Sequence, residues 1–171
     1  MNISTMGVIG TSKKEDERRF PIHPDHLSRI PENLRRRLIF EKGYGEPFGM
    51  QDSELAALTG GVATRHELLA GLGKVIINKP VLSDLQTLRE GGMLWGYPHC
   101  VQQQEITQAA IDRKLTLIAF EDMYTWSPSG QCGRHTFYKN NEMAGYCAVI
   151  HALQLDITVT SEKPLFLALA L

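Results

Sequence analysis

The chain has 171 residues, 18 basic against 19 acidic side chains and a net charge of -1, with 43% hydrophobic and 22% charged residues. That length can bury a sizeable core in one domain, and the balanced charge gives no reason to expect nucleic acid or an anionic membrane as a partner. Its three cysteines, Cys100, Cys132 and Cys147, form no CxxC pair and leave an odd count, which argues against a disulfide framework or structural zinc and suits a reducing, cytoplasmic setting.

Met1 to Thr5 lacks the basic and apolar stretches of a signal peptide. Met6 to Ile9 predicts a first buried strand, and Pro24 to Leu27 a helix start with proline in the first turn. The basic run Arg35-Arg36-Arg37 reads as a solvated helix end leading into a second strand, Leu38 to Phe40. Helices are expected from Asp52 to Leu58 and from Thr64 to Leu69, where Thr64 and Glu67 spell a capping box. Gly60-Gly61 between them reads as a turn. Val75 to Ile77 and Met93 to Trp95 predict two more strands, Gln104 to Arg113 a helix, and Leu115 to Phe120 a fifth strand.

Strands alternating with helices imply parallel βαβ units and an α/β fold, a Rossmann-like (flavodoxin-like) doubly wound parallel sheet. From Gly133 the pattern changes. Gly133 to Tyr138 is a short polar-aromatic segment, and Asn140-Asn141-Glu142 predicts the cap of an apolar helix reaching about Leu155. Residues 1–155 are therefore expected to form one domain. Residues 156–171 form an atypical tail that turns at Lys163-Pro164, and its closing apolar run, Leu165 to Leu171, is too short to span a bilayer.

Three strand exits carry the chemistry, and ligands of open α/β sheets gather at the strands' carboxyl ends. Glu17-Arg18-Arg19 follows the first strand, and Arg19 can grip a carboxylate in a two-point fork because Phe20, Pro21 and Ile22 pull the chain straight back into the core. Lys79 ends a buried run before Pro80, a partly desolvated place that calls for an anionic or carbonyl partner. His99, beyond Tyr97-Pro98, can give and take a proton near neutrality. The glycine pairs do not amount to a pyrophosphate cradle: Gly7-x-x-Gly10 is not GxGxxG, and Gly43-Tyr44-Gly45 opens no helix. No cofactor-binding residue and no metal ligand is expected.

With these segments located, the chain resembles the alanine dehydrogenase and pyridine nucleotide transhydrogenase superfamily in its N-terminal substrate domain. The likeness covers residue 6 to about 153. It rests on Glu17-Arg18-Arg19, Ile22-His23-Pro24, Glu41-Lys42-Gly43-Tyr44-Gly45, Lys79-Pro80, and Leu88-Arg89-Glu90-Gly91 leading to His99. Phe120-Glu121-Asp122-Met123 and Asn140 to Gly145 are most similar to the branch that joins pyruvate to an amino-acid side-chain amine such as ornithine's.

The resemblance implies that Arg19 and Lys79 bind substrate, that Lys79 and His99 act in catalysis, and that NAD(P)H is the reductant of an imine. It also implies keto-acid and amino-acid partners and a homo-oligomer. If the amine is ammonia, the same site makes alanine. A non-catalytic binding or oligomerisation module is the rival expectation, because family members continue into a nicotinamide-binding domain that residues 156–171 do not resemble; the tail reads as a truncation or a change of frame. A fluorescence titration of the 171-residue chain with NADH is expected to show no saturable binding, and tight binding would overturn this reading.

Overall fold

The apolar runs settle into strands because each has a layer to bury on either side. The computed structural model describes residues 5–15 and 17–159, with side chains as far as Leu155. Their contacts form two compact units, the first ending at Glu121 and the second beginning at Asp122.

In the first unit the strands are β1 (Met6–Val8), β2 (Leu38–Glu41), β3 (Gly61–Ala63), β4 (Lys74–Ile76), β5 (Met93–Gly96) and β6 (Thr116–Ala119). The helices are α1 (Glu32–Arg35), α2 (Asp52–Leu58), α3 (Leu82–Thr87) and α4 (Gln104–Asp112), with a 3-10 helix at Pro24–Arg29 and a π-helix at Glu67–Leu72. All six strands run parallel in the order β3-β2-β1-β4-β5-β6. That is the Rossmann order, doubly wound from β1 outward.

Successive residues of the inner strands serve opposite layers. Val8 and Phe40 pack with Leu27, Tyr44 and Leu55 on one face. Ile9, Val75, Ile77 and Leu94 pack with Leu68, Leu85, Leu88 and Ile106 on the other. Burial on both faces is why these strands read as continuous apolar runs rather than as alternation.

All five expected strands form, and the sheet adds one. Gly60-Gly61, read as a turn, leads into β3, which pairs with β2 through Ile39 and Gly61. Three residues that begin on a glycine at φ +129° carry no strand propensity of their own. The edge position beside β2 decides the matter. The helix end read at Arg35 is that of α1, while the short helix α3 went unread.

The expected cap at Asp52 falls one residue earlier. The Gln51 N–H donates to Glu54 Oε2 at 2.8 Å, while Asp52 Oδ1 accepts from the Gly43 N–H at 2.9 Å. The Thr64 cap forms as read: its N–H donates to Glu67 Oε2 at 2.8 Å, and the Glu67 N–H returns to Thr64 Oγ1 at 3.3 Å.

The second unit holds an antiparallel hairpin, β7 (Tyr124–Trp126) with β8 (Cys132–His135), and the helix α5 (Tyr138–Val159). α5 begins before Asn140 and runs through the expected boundary at 155 to Val159. Along it Met143, Tyr146, Val149, Ile150 and Leu153 are each more than half exposed. Among the described residues no helix is long and apolar enough to cross a membrane. The start Met1 to Ser4, the turn at Lys163-Pro164 and the run Leu165 to Leu171 lie outside the described residues.

Gly96 holds the exits of β4 and β5 together. A Cβ there would meet the carbonyl oxygen of Ile77, and the close approach lets the Tyr97 N–H donate to Asn78 O at 2.7 Å. Gly96→Ala is expected to cost about 1–3 kcal/mol, because backbone rather than a flexible side chain must move, as thermal melting would measure.

Candidate functional site

The strand order reverses at β1, whose neighbours are β2 on one side and β4 on the other. Crossovers leave such a pair toward opposite faces, so a crevice opens at their carboxyl ends. The loops after β1, β4 and β5 meet there.

A buried charge network holds the first of these loops. Glu41, at the end of β2 and 8% exposed, accepts at Oε2 from the N–H groups of Gly10 and Thr11 at 2.9 and 3.2 Å. Its Oε1 lies 3.1 Å from Arg65 Nη1, which also donates to Thr11 O at 2.6 Å. Arg65 Nε and Nη2 reach Asp84 Oδ1 at 3.2 and 3.0 Å, and Asp84 is fully buried. Two bonds then tie the β1 loop to the β4 exit. Ser12 Oγ donates to Lys79 O at 2.6 Å, and Asn78 Nδ2 donates to Arg19 O at 2.8 Å.

On this frame sits the candidate site. The side chain of Glu17 is only 4% exposed. Its Oε1 accepts from the N–H and the Nε of Arg19 at 3.0 and 2.8 Å, and its Oε2 accepts from Arg19 Nη2 at 2.6 Å. Lys79 Nζ stands 3.5 Å from the same Oε2. The Arg19 fork, with a further contribution from Lys79, overcomes the cost of burial and draws the Glu17 carboxyl down from 4.5 to about 2.

The Arg19 guanidinium lies 5.5 Å from the centre of the Tyr97 ring, and that ring stacks on His99 at 6.0 Å between centroids. Burial raises the Tyr97 hydroxyl above its ordinary range, so the ring is a neutral platform. The structure thus brings Arg19, Lys79 and His99 together, through Glu17 on one side and Tyr97 on the other.

His99 adopts φ +49°, uncommon for a residue with a Cβ. Glu121 helps hold it there: the His99 N–H donates to Oε1 at 2.8 Å, and Nδ1 lies 3.8 Å from the same oxygen. The other oxygen of Glu121, Oε2, is buried with no hydrogen-bond partner among the described residues. Strained backbone of this kind clusters at functional sites.

Sequence reasoning missed Glu17 as the bridge, Tyr97 as the platform and Glu121 as the partner of His99. All three stand inside the quoted motifs; Glu17 and Tyr97 lie two residues from side chains that were picked, whereas Glu121 is 22 residues from His99. The spacing of Glu17 and Arg19 in an extended loop, where alternate side chains share a side, is the signal that could have found the first. Nothing local marks Arg65 and Asp84.

Two groups can be tested against these residues. Among the described residues no cluster of His, Cys, Asp and Glu could hold a metal ion. The turn after β1 does not fit a dinucleotide's pyrophosphate. The N–H groups after β1, which a dinucleotide-binding sheet presents to pyrophosphate, are taken by the carboxylate of Glu41, and no helix starts at that turn.

A parallel sheet in this order, with cations gathered at its switch point, defines an α/β domain of the Rossmann type. The chain belongs to the alanine dehydrogenase/PNT N-terminal domain family, whose model matches residues 8–131. It is 24% identical over 155 residues to the N(5)-(carboxyethyl)ornithine synthase of Clostridium botulinum, covering 81% of this chain and 45% of that protein. It is 32% identical over 118 residues to the alanine dehydrogenase of Lysinibacillus sphaericus, covering 66% and 31% respectively. The chain therefore spans less than half the length of these curated relatives.

Among solved structures, a transhydrogenase from Sinorhizobium meliloti shares the fold with a TM-score of 0.58 at 16% identity, over 70% of this chain and 36% of that one. An L-alanine dehydrogenase does so with a TM-score of 0.58 at 20% identity, over 74% and 34%.

A carboxyl held near 2 when folded and 4.5 otherwise contributes stability that is complete above about pH 4.5 and lost as the pH falls toward 2. The stability difference between wild type and Glu17→Gln is therefore expected to shrink across that window, as thermal melts at stepped pH would read. A constant difference would mean that Glu17 is not held by its cations.

Proposed function

We propose that this chain is the keto-acid-binding part of a reductive-amination enzyme, with pyruvate as the acid and the side-chain amine of ornithine as the amine. The observation that carries the reading is the seat of Glu17. A carboxylate already bridges Arg19 and Lys79, so these cations stand at the separation a carboxylate needs. Arg19 takes the ligand's carboxylate, and Lys79 hydrogen-bonds the carboxylate or the keto oxygen. The amine adds to the keto carbon. His99, backed by Glu121, then protonates the departing hydroxyl, which leaves as water when the imine forms.

NAD(P)H supplies the reducing electrons in such reactions. The turn after β1, whose N–H groups Glu41 takes, offers its pyrophosphate no seat, and this chain's share is binding, orientation and proton transfer. The similarity to the carboxyethylornithine synthase extends over more of the chain than that to the alanine dehydrogenases, which supports an amino-acid amine over ammonia. We further propose that residues 1–155 form the substrate domain, with 156–171 as a separate tail, and that the protein works in the cytoplasm. The exposed stripe of α5 would pair copies of the chain, because a patch of that size is costly to leave in water.

Ligand-observed NMR with pyruvate tests the site. Arg19→Gln and Lys79→Gln should each weaken binding by about tenfold or more, the loss of a charged hydrogen bond, while His99→Asn should bind nearly as well. With cyanoborohydride as a chemical reductant, the chain should speed formation of the carboxyethylornithine adduct over background. His99→Asn should abolish that acceleration. Equal acceleration by both proteins would remove His99 from the mechanism.

Light scattering tests the pairing. Ile150→Asp should lower the apparent mass of the chain at high concentration; a wild-type monomer at every concentration would end that proposal.

A further inference from the structure

Resting on the reading that Arg19 and Lys79 hold a keto acid, we infer that Glu17 determines how much charge the ligand carries: the site takes a 2-oxo monocarboxylate and turns away a dicarboxylate. Arg19 and Lys79 bring two positive charges to the crevice, and Glu17 returns one negative charge from within hydrogen-bonding reach of Arg19 and 3.5 Å from Lys79. Among these three groups one positive charge remains, matched by one carboxylate.

Among the described residues nearby, Lys13 is engaged by Ser83 and Asp84, Arg65 lies between Glu41 and Asp84, and the carboxylate of Glu121, 3.8 Å from His99 Nδ1, stands with Glu17 on the negative side. Tyr97 is neutral below the alkaline range. Glu17 has little freedom to retreat, since its side chain is buried and its Oε1 also accepts from the Arg19 backbone N–H.

A second ligand carboxylate would have to settle beside this fixed negative charge. At about 6 Å and an effective dielectric near 20, the repulsion disfavours it by about a hundredfold, and by about tenfold after screening in a half-exposed site. Specificity of this kind comes from a repulsive element built into the site rather than from a better contact. Glutamine at position 17 keeps the size and one acceptor but leaves two positive charges to be matched, which favours a dianion.

Oxamate and oxalate make the test, because they share shape and one carboxylate and differ by a single charge. Dissociation constants are measured by ligand-observed NMR at neutral pH on the full 171-residue chain. Wild type is expected to prefer oxamate by about tenfold or more. Glu17→Gln, checked for folding by its melting curve, should shift the ratio toward oxalate by at least about tenfold, and Glu17→Asp, which keeps the charge, should hold the wild-type preference.

A wild-type preference for oxalate, or a Glu17→Gln variant that moves both affinities by one common factor, overturns the inference while leaving the keto-acid reading intact. Should Glu17→Gln fail to fold, the wild-type ratio decides alone. If neither ligand binds wild type, or if Arg19→Gln changes neither affinity, the keto-acid reading itself fails and this inference with it.

Discussion

Arg65 carries a full charge into the edge of the sheet, where the carboxylates of Glu41 and Asp84 close around it. Burying three charged groups is costly, and it becomes tolerable only because their hydrogen-bonding atoms are engaged. Glu41 takes two backbone N–H groups of the β1 loop, Arg65 reaches the Thr11 carbonyl, and Asp84 accepts from the Val81 N–H at the start of α3. Removing one member of such a set leaves an uncompensated buried charge, a defect of about 3–5 kcal/mol. The network ties the exits of β1 and β2 to the first turn of α3. The candidate site stands on that junction.

From there, geometry passes outward in short steps. The Ser12 hydroxyl joins the β1 loop to the backbone of Lys79, and Asn78 holds the carbonyl of Arg19. Phe20 and Tyr44 close over Gly10, where a Cβ would lie 2.7 Å from both rings. Tyr44 in turn exchanges hydrogen bonds with the backbone of Ile22 through its hydroxyl. The Arg19 segment is thus clamped on both sides. These contacts return the Arg19 guanidinium to the crevice at the end of a charged loop.

The same turn after β1 separates two uses of one sheet order. In a dinucleotide-binding sheet the β1 turn leads at once into a helix whose N-terminus meets pyrophosphate. Here the turn's N–H groups are met by Glu41, and the chain travels from Gly10 to His23 before its next helical turn at Pro24–Arg29. That detour carries Glu17 and Arg19. With a carboxylate in the phosphate position, the turn lacks the free N–H groups of a nucleotide seat, and on the reading proposed above the arginine beyond it suits the switch point to a small anion.

Much of this was legible along the chain. Five of the strands announced themselves, because strands buried on both faces must be apolar throughout, and the glycines, prolines and charges between them bounded each one. Strands separated by helices implied parallel pairing, and parallel pairing places strand exits on one edge, so Arg19, Lys79 and His99 could be picked from position alone. The chain did not reveal β3, whose three residues become a strand only because β2 offers an edge. Nor did it reveal the Rossmann order of the sheet.

Glu17 and Tyr97 were visible as letters within motifs but not as partners of the residues beside them, and Glu121 not as the partner of His99, 22 positions away. Arg65 and Asp84, 19 positions apart, carry no pattern that marks them as a pair. Local sequence determines which residues must leave water and where the chain must turn. Which buried charges meet is decided only when strands distant in sequence are brought side by side, for a charge enters the interior only where the folded structure provides its counter-charge and hydrogen bonds.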